Sequence, residues 1–437
     1  MTDTAVFQQR RQQLLSAMTD KSVALIASGK ELIRNRDTHY PFRPQSDFYF
    51  LTGFNEPDAV LMLSKTAEGD KCHLWCRAKD KEKEIWDGYR LGIDAAPAAL
   101  GLDSAADVVQ LNNELVTALA DKSLVYFSFE QGDVWLSAAM SAIQQLKRRV
   151  RLGVSAPQTI HDLDPLLHEQ RLIKDSAAQA GLREAAQVTV AGHLAAMQVA
   201  KTAKVEYQLQ AALEATFKQR GSSHQAFNSI VASGNNACVL HYNENNAPMS
   251  ASDLVLIDAG AEMNGYAGDC THTFPLSGRF SAEQAAIYNL VLEAQQVALS
   301  LIRPGTPYDA PHQAAVRVIC QGLIELGLLN DTLENAIESG SYKVFYMHQT
   351  GHWLGHDVHD VGQYKQHGQW RLLKTGMALT VEPGIYISPD NEQVEARWRG
   401  IGVRIEDSVL VTETGYECLT AGLPRTVQEI ESWMQQH

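Results

Sequence analysis

Five of the 15 histidines lie close together in the C-terminal half of the chain, between His348 and His367. Clustered imidazoles, whose pKa lies near neutral pH, suit metal binding or proton transfer. His352 and His356 are four residues apart, as in helical zinc proteases, but Trp353 stands where that motif requires a Glu. The glycines of this segment also favour loops and short strands over one helix. The histidines therefore predict a chemical site, and they need not all bind one ion.

Four carboxylates add to the histidine segment. Asp258 and Glu382 each follow four mostly apolar residues, and Asp269 and Glu406 lie on the strands that we expect to return beside them. Taken singly, Asp258 and Asp269 are typical turn or capping residues, and Glu406 is typical of a half-exposed strand. Together with His352 they form a set of four carboxylates and one imidazole, which suits a pair of divalent ions such as Mn²⁺. Two such ions can hold a bridging hydroxide and polarise a scissile carbonyl.

The elements that must bring these residues together predict an α+β arrangement. Apolar and alternating runs predict strands over residues 254–257, 267–274, 377–381 and 403–411. Helices are predicted over residues 175–200, 204–220, 281–302 and 309–326, the third opened by a capping box of Ser281 and Gln284. Such a pattern predicts a curved antiparallel sheet covered by helices. The two pairs of strands resemble each other and suggest an internal duplication.

The first 170 residues have a different pattern, in which short strands alternate with helices. Strands are predicted over residues 23–27, 48–51, 60–63, 73–76 and 125–128, and helices over residues 6–18 and 134–148. This part reads as an α/β domain, and it contains no glycine-rich phosphate loop. The sequence becomes alanine-rich and helical after residue 175. We therefore expect two domains, covering residues 1–171 and 172–437.

Composition and charge exclude several classes of protein. The chain has 437 residues, with 37 Lys plus Arg against 51 Asp plus Glu and a net charge of −14. Such an acidic chain lacks the basic surface that binding to nucleic acid or to an anionic membrane requires. No stretch reaches the ~20 apolar residues of a membrane span, and the N-terminal residues are too polar for a signal peptide. Six scattered cysteines are typical of reduced thiols, so we expect a cytoplasmic protein.

The motifs around the candidate ligands resemble those of the pita-bread metallopeptidases, and among them the bacterial aminopeptidase P family. The segments that carry this resemblance in the C-terminal part are IDAG at 257–260, GD at 268–269, HQTGHWLG at 348–355, VEPG at 381–384 and RIED at 404–407. Further matching segments are LTGFNEP at 51–57, LHY at 240–242 and DVHDVG at 357–362. The resemblance covers essentially the whole chain. It implies an N-terminal α/β creatinase-like domain followed by a C-terminal pita-bread domain.

The resemblance also implies a metal centre with defined roles for five residues. Two divalent ions, with Mn²⁺ the expected metal, are bridged by Asp269 and Glu406. Asp258 completes the coordination of one ion, and His352 and Glu382 complete that of the other. Glu382 also matches the general base for the nucleophilic water.

Further residues are implied to surround the substrate. His348 and His359 match residues that contact the substrate and stabilise the tetrahedral intermediate, and His241 matches a residue of the pocket around the scissile bond. Arg404 and Tyr364 match a hydrogen-bonding pair behind the metals.

The N-terminal domain is implied to serve oligomerisation and access to the active site. Asp37 and Arg151 match polar residues that reach the mouth of the site. Trp86 matches a residue that family members present to the site of a neighbouring subunit. The resemblance therefore implies a homo-oligomer, either a tetramer or a dimer.

The function that follows is removal of the N-terminal residue from peptides with proline in second position. The nearest alternative is a prolidase, which cleaves Xaa-Pro dipeptides with the same ligands, and a more distant one is a pita-bread domain that binds proteins without catalysis. The sequence departs from the family pattern at His272, Gln349 and His356. We expect these departures to influence metal affinity or substrate range, with His356 beside the ligands or at the surface rather than on a metal.

Overall fold

In the computed structural model, which describes residues 4–437, the chain divides into two units, Met1–Arg171 and Leu172–His437. The strands of the first unit are β1 (Ser22–Ala27), β2 (Ile33–Asn35), β3 (Thr38–His39), β4 (Val60–Lys65), β5 (Lys71–Cys76), β6 (Ser104–Asp107), β7 (Leu124–Phe127) and β8 (Thr159–Asp162). Its helices are α1 (Thr4–Ala17), α2 (Ser46–Thr52), α3 (Lys81–Asp87), α4 (Ala96–Leu100), α5 (Leu111–Ala118), α6 (Gly132–Lys147) and α7 (Asp164–Leu172).

A mixed sheet of six strands, in the order β6-β5-β4-β1-β7-β8, forms the centre of the first unit. Strand β1 runs antiparallel to β4 and parallel to β7. Its side chains alternate between two apolar clusters, with Ala24 and Ile26 in one and Val23 and Leu25 in the other. Both faces of β1 are therefore buried, which explains why its sequence is a continuous apolar run.

The strand predicted over residues 48–51 is wrong, because this segment lies in helix α2. The Gln45 side chain caps the helix by accepting a hydrogen bond from the Phe48 amide, and Gly53 ends it with a φ of 63°. A short apolar run does not distinguish a buried strand from a buried helical turn. The flanking cap and the left-handed glycine decide between the two.

A buried cluster of charges joins α2 to α7. Arg171 Nη1 lies 2.6 Å from Asp47 Oδ1, and His168 Nε2 lies 3.3 Å from Asp47 Oδ2 and 3.7 Å from Asp164 Oδ1. Burial alone raises the pKa of Asp47, but the charge of Arg171 and the contact with His168 outweigh it and lower that pKa well below its usual value. Burial lowers the pKa of His168, and the hydrogen bond and charge of Asp47 reverse this to a net rise. The cluster is therefore an ion-pair network in which Arg171 and His168 supply the cations.

This network predicts a pH dependence of stability. A histidine whose folded pKa is raised stabilises the fold fully below its unfolded pKa of about 6.5, and this contribution is lost as the pH rises through the folded value. We expect His168→Gln to lower the free energy of unfolding by about 1–2 kcal/mol at pH 6 and by less at pH 9. Urea unfolding of both proteins at the two pH values measures this. A deficit that grows with pH would contradict the assignment.

The second unit contains thirteen strands and six helices among the described residues. The helices are α8 (Ser176–Val199), α9 (Glu206–Gln219), α10 (Ala282–Ser300), α11 (Ala310–Glu325), α12 (Leu333–Ser339) and α13 (Val427–Gln436). The strands before α10 are β9 (His224–Gln225), β10 (Ile230–Ser233), β11 (Leu254–Asp258), β12 (Ala261–Met263), β13 (Tyr266–Ala267) and β14 (Thr271–Pro275). Those after α12 are β15 (Lys365–Gln366), β16 (Gln369–Trp370), β17 (Ala378–Val381), β18 (Gly384–Tyr386), β19 (Gly402–Arg404), β20 (Asp407–Val411) and β21 (Tyr416–Cys418).

Two long antiparallel hairpins with the same interrupted pattern form the middle of this unit. In the first, β11 pairs with β14 and β12 with β13; in the second, β17 pairs with β20 and β18 with β19. Helices α8 to α11 all contribute side chains to the apolar core against which these hairpins pack. The capping box of Ser281 and Gln284 is confirmed at the start of α10. None of the helices in the described part of the chain is long and apolar enough to cross a membrane.

The strands predicted over residues 267–274 and 403–411 are each interrupted in the structure. The first is divided between β13 and β14, with Asp269 in the gap, and the second between β19 and β20, with Glu406 in the gap. Because Asp269 and Glu406 lie outside the regular strands, their side chains need not alternate in step with those of the flanking strands. Sequence alternation alone treated each pair as one strand because both halves have strand-like residues.

Candidate active site

The five candidate metal ligands lie at interruptions of the two hairpins and on the segment before β17. Asp258 ends β11, Glu382 follows β17, and Asp269 and Glu406 lie in the gaps of the returning strands. His352 is held against β17, where its carbonyl accepts a hydrogen bond from the amide of Thr380. The four carboxylates thus occupy matching places in the two hairpins.

The donor atoms of these residues lie close together. Asp269, His352 and Glu406 each offer one atom within 4.8 Å of the others. His352 Nε2 lies 3.4 Å from Asp269 Oδ2 and 3.6 Å from Glu382 Oε1. Asp269 and Glu406 are buried, with relative exposures of 3% and 2%. Oxygen atoms and one imidazole nitrogen in such an arrangement are ligands for divalent cations.

The electrostatics of the group also fit a bound cation. Burial, followed by the charges of Asp258 and Glu382, raises the pKa of Asp269 well above its usual value. Burial, followed by the charges of Asp269 and Glu382, does the same to the pKa of Glu406. Asp258 Oδ1 is buried and has no hydrogen-bond partner among the described residues. Positive charge placed among these oxygens would relieve the repulsion and give the unpartnered oxygen a partner.

His352 is oriented by its surroundings. Its Nδ1 lies 3.0 Å from the Trp353 carbonyl, so Nδ1 carries the proton and Nε2 presents a lone pair to the carboxylates. The preceding residue must be small, since a Cβ on Gly351 would lie 2.0 Å from the Thr380 carbonyl oxygen. Gly351 therefore lets this segment approach β17 closely enough to place His352 beside Glu382.

A chain of hydrogen bonds runs from Asp258 to His348 behind the carboxylates. Arg404 donates to Asp258 Oδ2 at 2.7 Å and to the Tyr386 hydroxyl at 2.9 Å, and that hydroxyl lies 2.8 Å from His348 Nε2. Among the described residues, no hydrogen bond joins Arg404 to Tyr364, which the resemblance implies to be a pair. The Tyr364 hydroxyl instead accepts from the Trp353 amide at 3.2 Å. Tyr386 takes the place that the sequence assigned to Tyr364.

A cavity of about 850 Å³ opens in front of the carboxylates. All five candidate ligands border it, as do His241, His348, His359, Arg404 and Tyr364. The His359 ring lies 4.3 Å from that of His352 in an edge-on arrangement. Aromatic and apolar side chains make up much of the remaining wall, namely Phe227, Ile230, Leu240, Tyr308, Val358 and Trp370.

The three candidate residues of the first unit lie at its surface. Asp37 is exposed in the turn between β2 and β3, and Arg151 is exposed in a short helical turn after α6. Trp86 is 87% exposed on α3, a helix that buries none of its residues. Their implied roles at the mouth of the site and in a neighbouring subunit stay predictions.

The three departures from the family pattern occupy different environments. His272 is fully buried in β14 with Nε2 2.8 Å from the Pro424 carbonyl, whereas Gln349 is exposed and borders the cavity. His356 is buried rather than at the surface, with Nδ1 2.7 Å from the Gly265 carbonyl and its ring stacked on Tyr266. These contacts give His356 a packing role.

Sequence reasoning missed two residues of the site that strand periodicity could have found. Tyr386 follows Ile385 in β18, and because the Ile385 side chain lies in the apolar core, alternation places Tyr386 on the opposite face. Thr271 donates to Glu406 Oε2 at 2.8 Å and accepts from Arg404 Nε at 3.2 Å. It precedes His272 in β14, so alternation places the two side chains on opposite faces of the strand. Tyr308 is a different case, because it comes from the start of α11 and no local pattern marks it.

Comparison with known proteins agrees with this geometry. Residues 180–413 match metallopeptidase family M24, and residues 7–126 match the aminopeptidase P N-terminal domain. The Xaa-Pro aminopeptidase of Escherichia coli K12 is 43% identical over 435 residues, which cover 98% of this chain and 97% of the relative. The Xaa-Pro aminopeptidase of Haemophilus influenzae is 41% identical over 431 residues, covering 98% and 96%.

Solved structures extend the comparison to the whole fold. Aminopeptidase PepP of Pseudomonas aeruginosa is 46% identical with a TM-score of 0.97, covering 99% of this chain and 98% of that chain. Zinc-substituted E. coli aminopeptidase P in complex with product is 42% identical with a TM-score of 0.96, over the same shares. The resemblance and the fold class drawn from the sequence are thereby confirmed. The chain belongs to metallopeptidase family M24 and carries the N-terminal domain of the aminopeptidase P enzymes.

Proposed function

We propose that this chain is a metal-dependent aminopeptidase that removes the N-terminal residue from peptides with proline in second position. The observation that carries this conclusion is the meeting of four carboxylates and His352 at one cavity, in a chain of family M24. The relatives named Xaa-Pro aminopeptidase match it over nearly their whole length. A protein that binds without catalysis would have no need to retain such a group of mutually repelling carboxylates.

Asp258, Asp269, His352, Glu382 and Glu406 would hold two divalent ions, with Asp269 and Glu406 as the bridging ligands. When bound, such a pair supplies a strong nucleophile from water at neutral pH and polarises the scissile carbonyl. We propose Mn²⁺ as the metal because oxygen donors outnumber the single imidazole and no thiolate takes part. The E. coli relative has been solved with zinc substituted, so we expect Zn²⁺ to bind as well.

Glu382 is the proposed base for the water. It is partly buried, and Thr380 Oγ1 lies 3.4 Å from its Oε1. Burial raises the pKa of Glu382, and the charges of His352 and Arg404 only partly offset this. A carboxylate with a raised pKa accepts a proton more readily at neutral pH.

The histidines at the cavity are neutral hydrogen-bonding groups. Burial, followed by the charge of Arg404, lowers the pKa of His348 to about 4. Burial, followed by the charges of His352 and His241, lowers the pKa of His359. Both imidazoles are therefore uncharged at pH 7. His348 Nδ1 lies 2.8 Å from the Gln349 carbonyl and its Nε2 lies 2.8 Å from the Tyr386 hydroxyl, so His359 is the one of the two that can donate an N–H to a substrate oxygen. The proton that Glu382 takes from the water is available for the departing imino nitrogen. A proline in second position makes that nitrogen part of a tertiary amide without an N–H.

Peptide length separates this proposal from a prolidase. We expect the metal-loaded protein to cleave an Xaa-Pro-Yaa tripeptide at least tenfold faster, in kcat/KM, than a Gly-Pro dipeptide (about 1.4 kcal/mol). Replacement of proline by alanine in the tripeptide tests the requirement for proline in second position, and it should lower turnover. Preference for the dipeptide would assign a prolidase instead, and absence of turnover on every peptide by metal-loaded protein would leave a binding protein.

Metal loading should also change how stability depends on pH. Asp269, Glu406 and Glu382 all have raised folded pKa values, so the chelated protein binds more protons when folded. Their contribution to stability is present below the unfolded pKa of about 4 and is lost as the pH rises through the folded values. We therefore expect the rise in Tm on adding Mn²⁺ to the chelated protein to be larger at pH 8 than at pH 5. A rise that is equal or smaller at pH 8 would contradict the proposed ligands.

We further propose that the working form is a cytoplasmic homo-oligomer, a tetramer or a dimer. All six cysteines are free, which suits a reducing compartment. In the first unit, Ile85, Trp86 and Tyr89 form an exposed apolar surface on and just after α3 that a second subunit could cover. Sedimentation velocity measures the assembly directly.

A further inference from the structure

Three side chains of the cavity wall come from one irregular loop. Residues 238–248 connect a short helical turn after β10 to the segment before β11, and they supply Leu240, His241 and Asn243 to the cavity. Among the described residues, the loop's pairing with other strands is limited to a single bridge between Val205 and Pro248. His241 is exposed, so its own burial does little to fix its place. Its position must depend on anchors elsewhere in the loop.

Glu206, the first residue of α9, anchors the loop from outside it. Its side chain is fully buried, with 0% exposure, and no Lys, Arg or His forms an ion pair with it in the part of the chain that the structure describes. Five donors surround the carboxylate instead. Oε1 accepts from the Ser233 amide and hydroxyl at 2.8 Å each and from Asn236 Nδ2 at 3.0 Å. A buried carboxylate is tolerated without a cation only when its oxygens are hydrogen-bonded in this way.

The other oxygen of Glu206 holds the loop itself. Oε2 accepts from the Tyr242 hydroxyl at 2.8 Å and from the Ala247 amide at 2.9 Å. Tyr242 directly follows His241, and its ring is buried in an apolar cluster that also contains Tyr386. The backbone of His241 is therefore fixed by the residue beside it.

Asn245 provides a second anchor within the same loop. It adopts a left-handed φ of 48° and is buried, accepting from the Val231 amide at 2.9 Å and donating to the Ser229 carbonyl at 2.7 Å. Glu206 and Asn245 hold the loop in place. His241 and Asn243 of the same loop border the cavity. None of the five groups that donate to the Glu206 carboxylate belongs to a candidate metal ligand, so its effect on the metal site is indirect.

We propose that Glu206 is a positioning residue that acts through Tyr242 to hold His241 at the substrate cavity. This inference rests on the proposed function, because it is read out with an Xaa-Pro-Yaa peptide. Tyr242→Phe is the mild test: it keeps the buried ring and removes only the hydroxyl that Glu206 binds. Glu206→Gln is the stronger test, since an amide cannot accept all five hydrogen bonds.

Kinetics with the full-length, Mn²⁺-loaded protein separate positioning from general destabilisation. We expect Tyr242→Phe to lower kcat/KM for the tripeptide about tenfold, mostly through KM, with unchanged metal content. The exposed Glu244 of the same loop offers a matched control, and Glu244→Gln should behave as wild type. In a His241→Ala background, Tyr242→Phe and Glu206→Gln should cause little further loss, because the residue through which they act is gone.

The outcomes are distinguishable. Wild-type protein without peptidase activity would overturn the proposed function. Active wild type with Tyr242→Phe at wild-type KM, or with losses that add in full to that of His241→Ala, would overturn the positioning role alone. If Glu206→Gln does not fold, the positioning role is still tested by comparing Tyr242→Phe alone with Tyr242→Phe in the His241→Ala background.

Discussion

Glu382→Gln lowers kcat for an Xaa-Pro-Yaa tripeptide by roughly 10²- to 10⁴-fold if Glu382 is the base, the range that loss of a general base produces. The amide keeps the shape of the side chain and one oxygen for metal binding, but it cannot take a proton from water. The pKa of Glu382 is raised by burial, so the change removes a base suited to neutral pH. Steady-state kinetics of the Mn²⁺-loaded variant measure the loss. KM should change much less than kcat.

A control separates the loss of the base from damage to the fold or the metal site. Glu392 lies ten residues further along the chain, between β18 and β19, and is exposed, so Glu392→Gln should retain wild-type kinetics. Metal analysis and circular dichroism of Glu382→Gln should resemble those of the wild type. Retained turnover in Glu382→Gln would refute the assigned base, and loss of bound metal would assign Glu382 a ligand role without proving the proton transfer.

The largest expected effect on stability comes from a buried ion pair beside the site. Lys174 Nζ lies 2.7 Å from Asp360 Oδ2, and the two side chains are 2% and 1% exposed. Asp360 follows His359 and its amide donates to the Trp353 carbonyl at 2.9 Å, so the pair fixes the segment that carries His359. Lys174→Met removes a cation that lies against a buried carboxylate, which should lower the free energy of unfolding by about 3–5 kcal/mol. Denaturant unfolding measures this.

Removing the charge on both sides tests the cause of that loss. Lys174→Met with Asp360→Asn should recover at least half of the lost stability, because the buried negative charge is removed together with the lysine. The exposed Lys374 gives a matched control, and Lys374→Met should stay within about 0.5 kcal/mol of wild type. A loss below 1 kcal/mol in Lys174→Met, or a double variant no more stable than the single one, would contradict the role of the pair.

Two of the candidate ligands were marked in the sequence by their places at a strand end and beside a turn. Asp258 ends an apolar strand and Glu382 is followed by Pro383 and Gly384, and the structure brings both to one cavity. The interruptions at Asp269 and Glu406 were not visible, since residues on either side are good strand formers. The residue types on each side of the break predict a strand on that side. The break itself depends on contacts across the whole hairpin, which the local sequence does not contain.

Residues that act from a distance left no local signal. Glu206 accepts hydrogen bonds from residues 27 to 41 positions away in the chain, and without the fold it is an ordinary acid in the first turn of a helix. The pairing of Arg404 with Tyr386 rather than Tyr364 likewise depends on how β18 and β19 pair. The helix at 46–52, read from sequence as a strand, depended on the cap at Gln45 and on Gly53.

Titration of Mn²⁺ into chelated protein, with release of the N-terminal residue from an Xaa-Pro-Yaa tripeptide as the signal, tests the central claim most directly. We expect no turnover before metal is added, and a rise that levels off at two equivalents per chain. Asp269→Ala, which removes a proposed metal ligand, should abolish both metal uptake and turnover. Full turnover in chelated protein, or metal uptake without any release of the N-terminal residue, would contradict it.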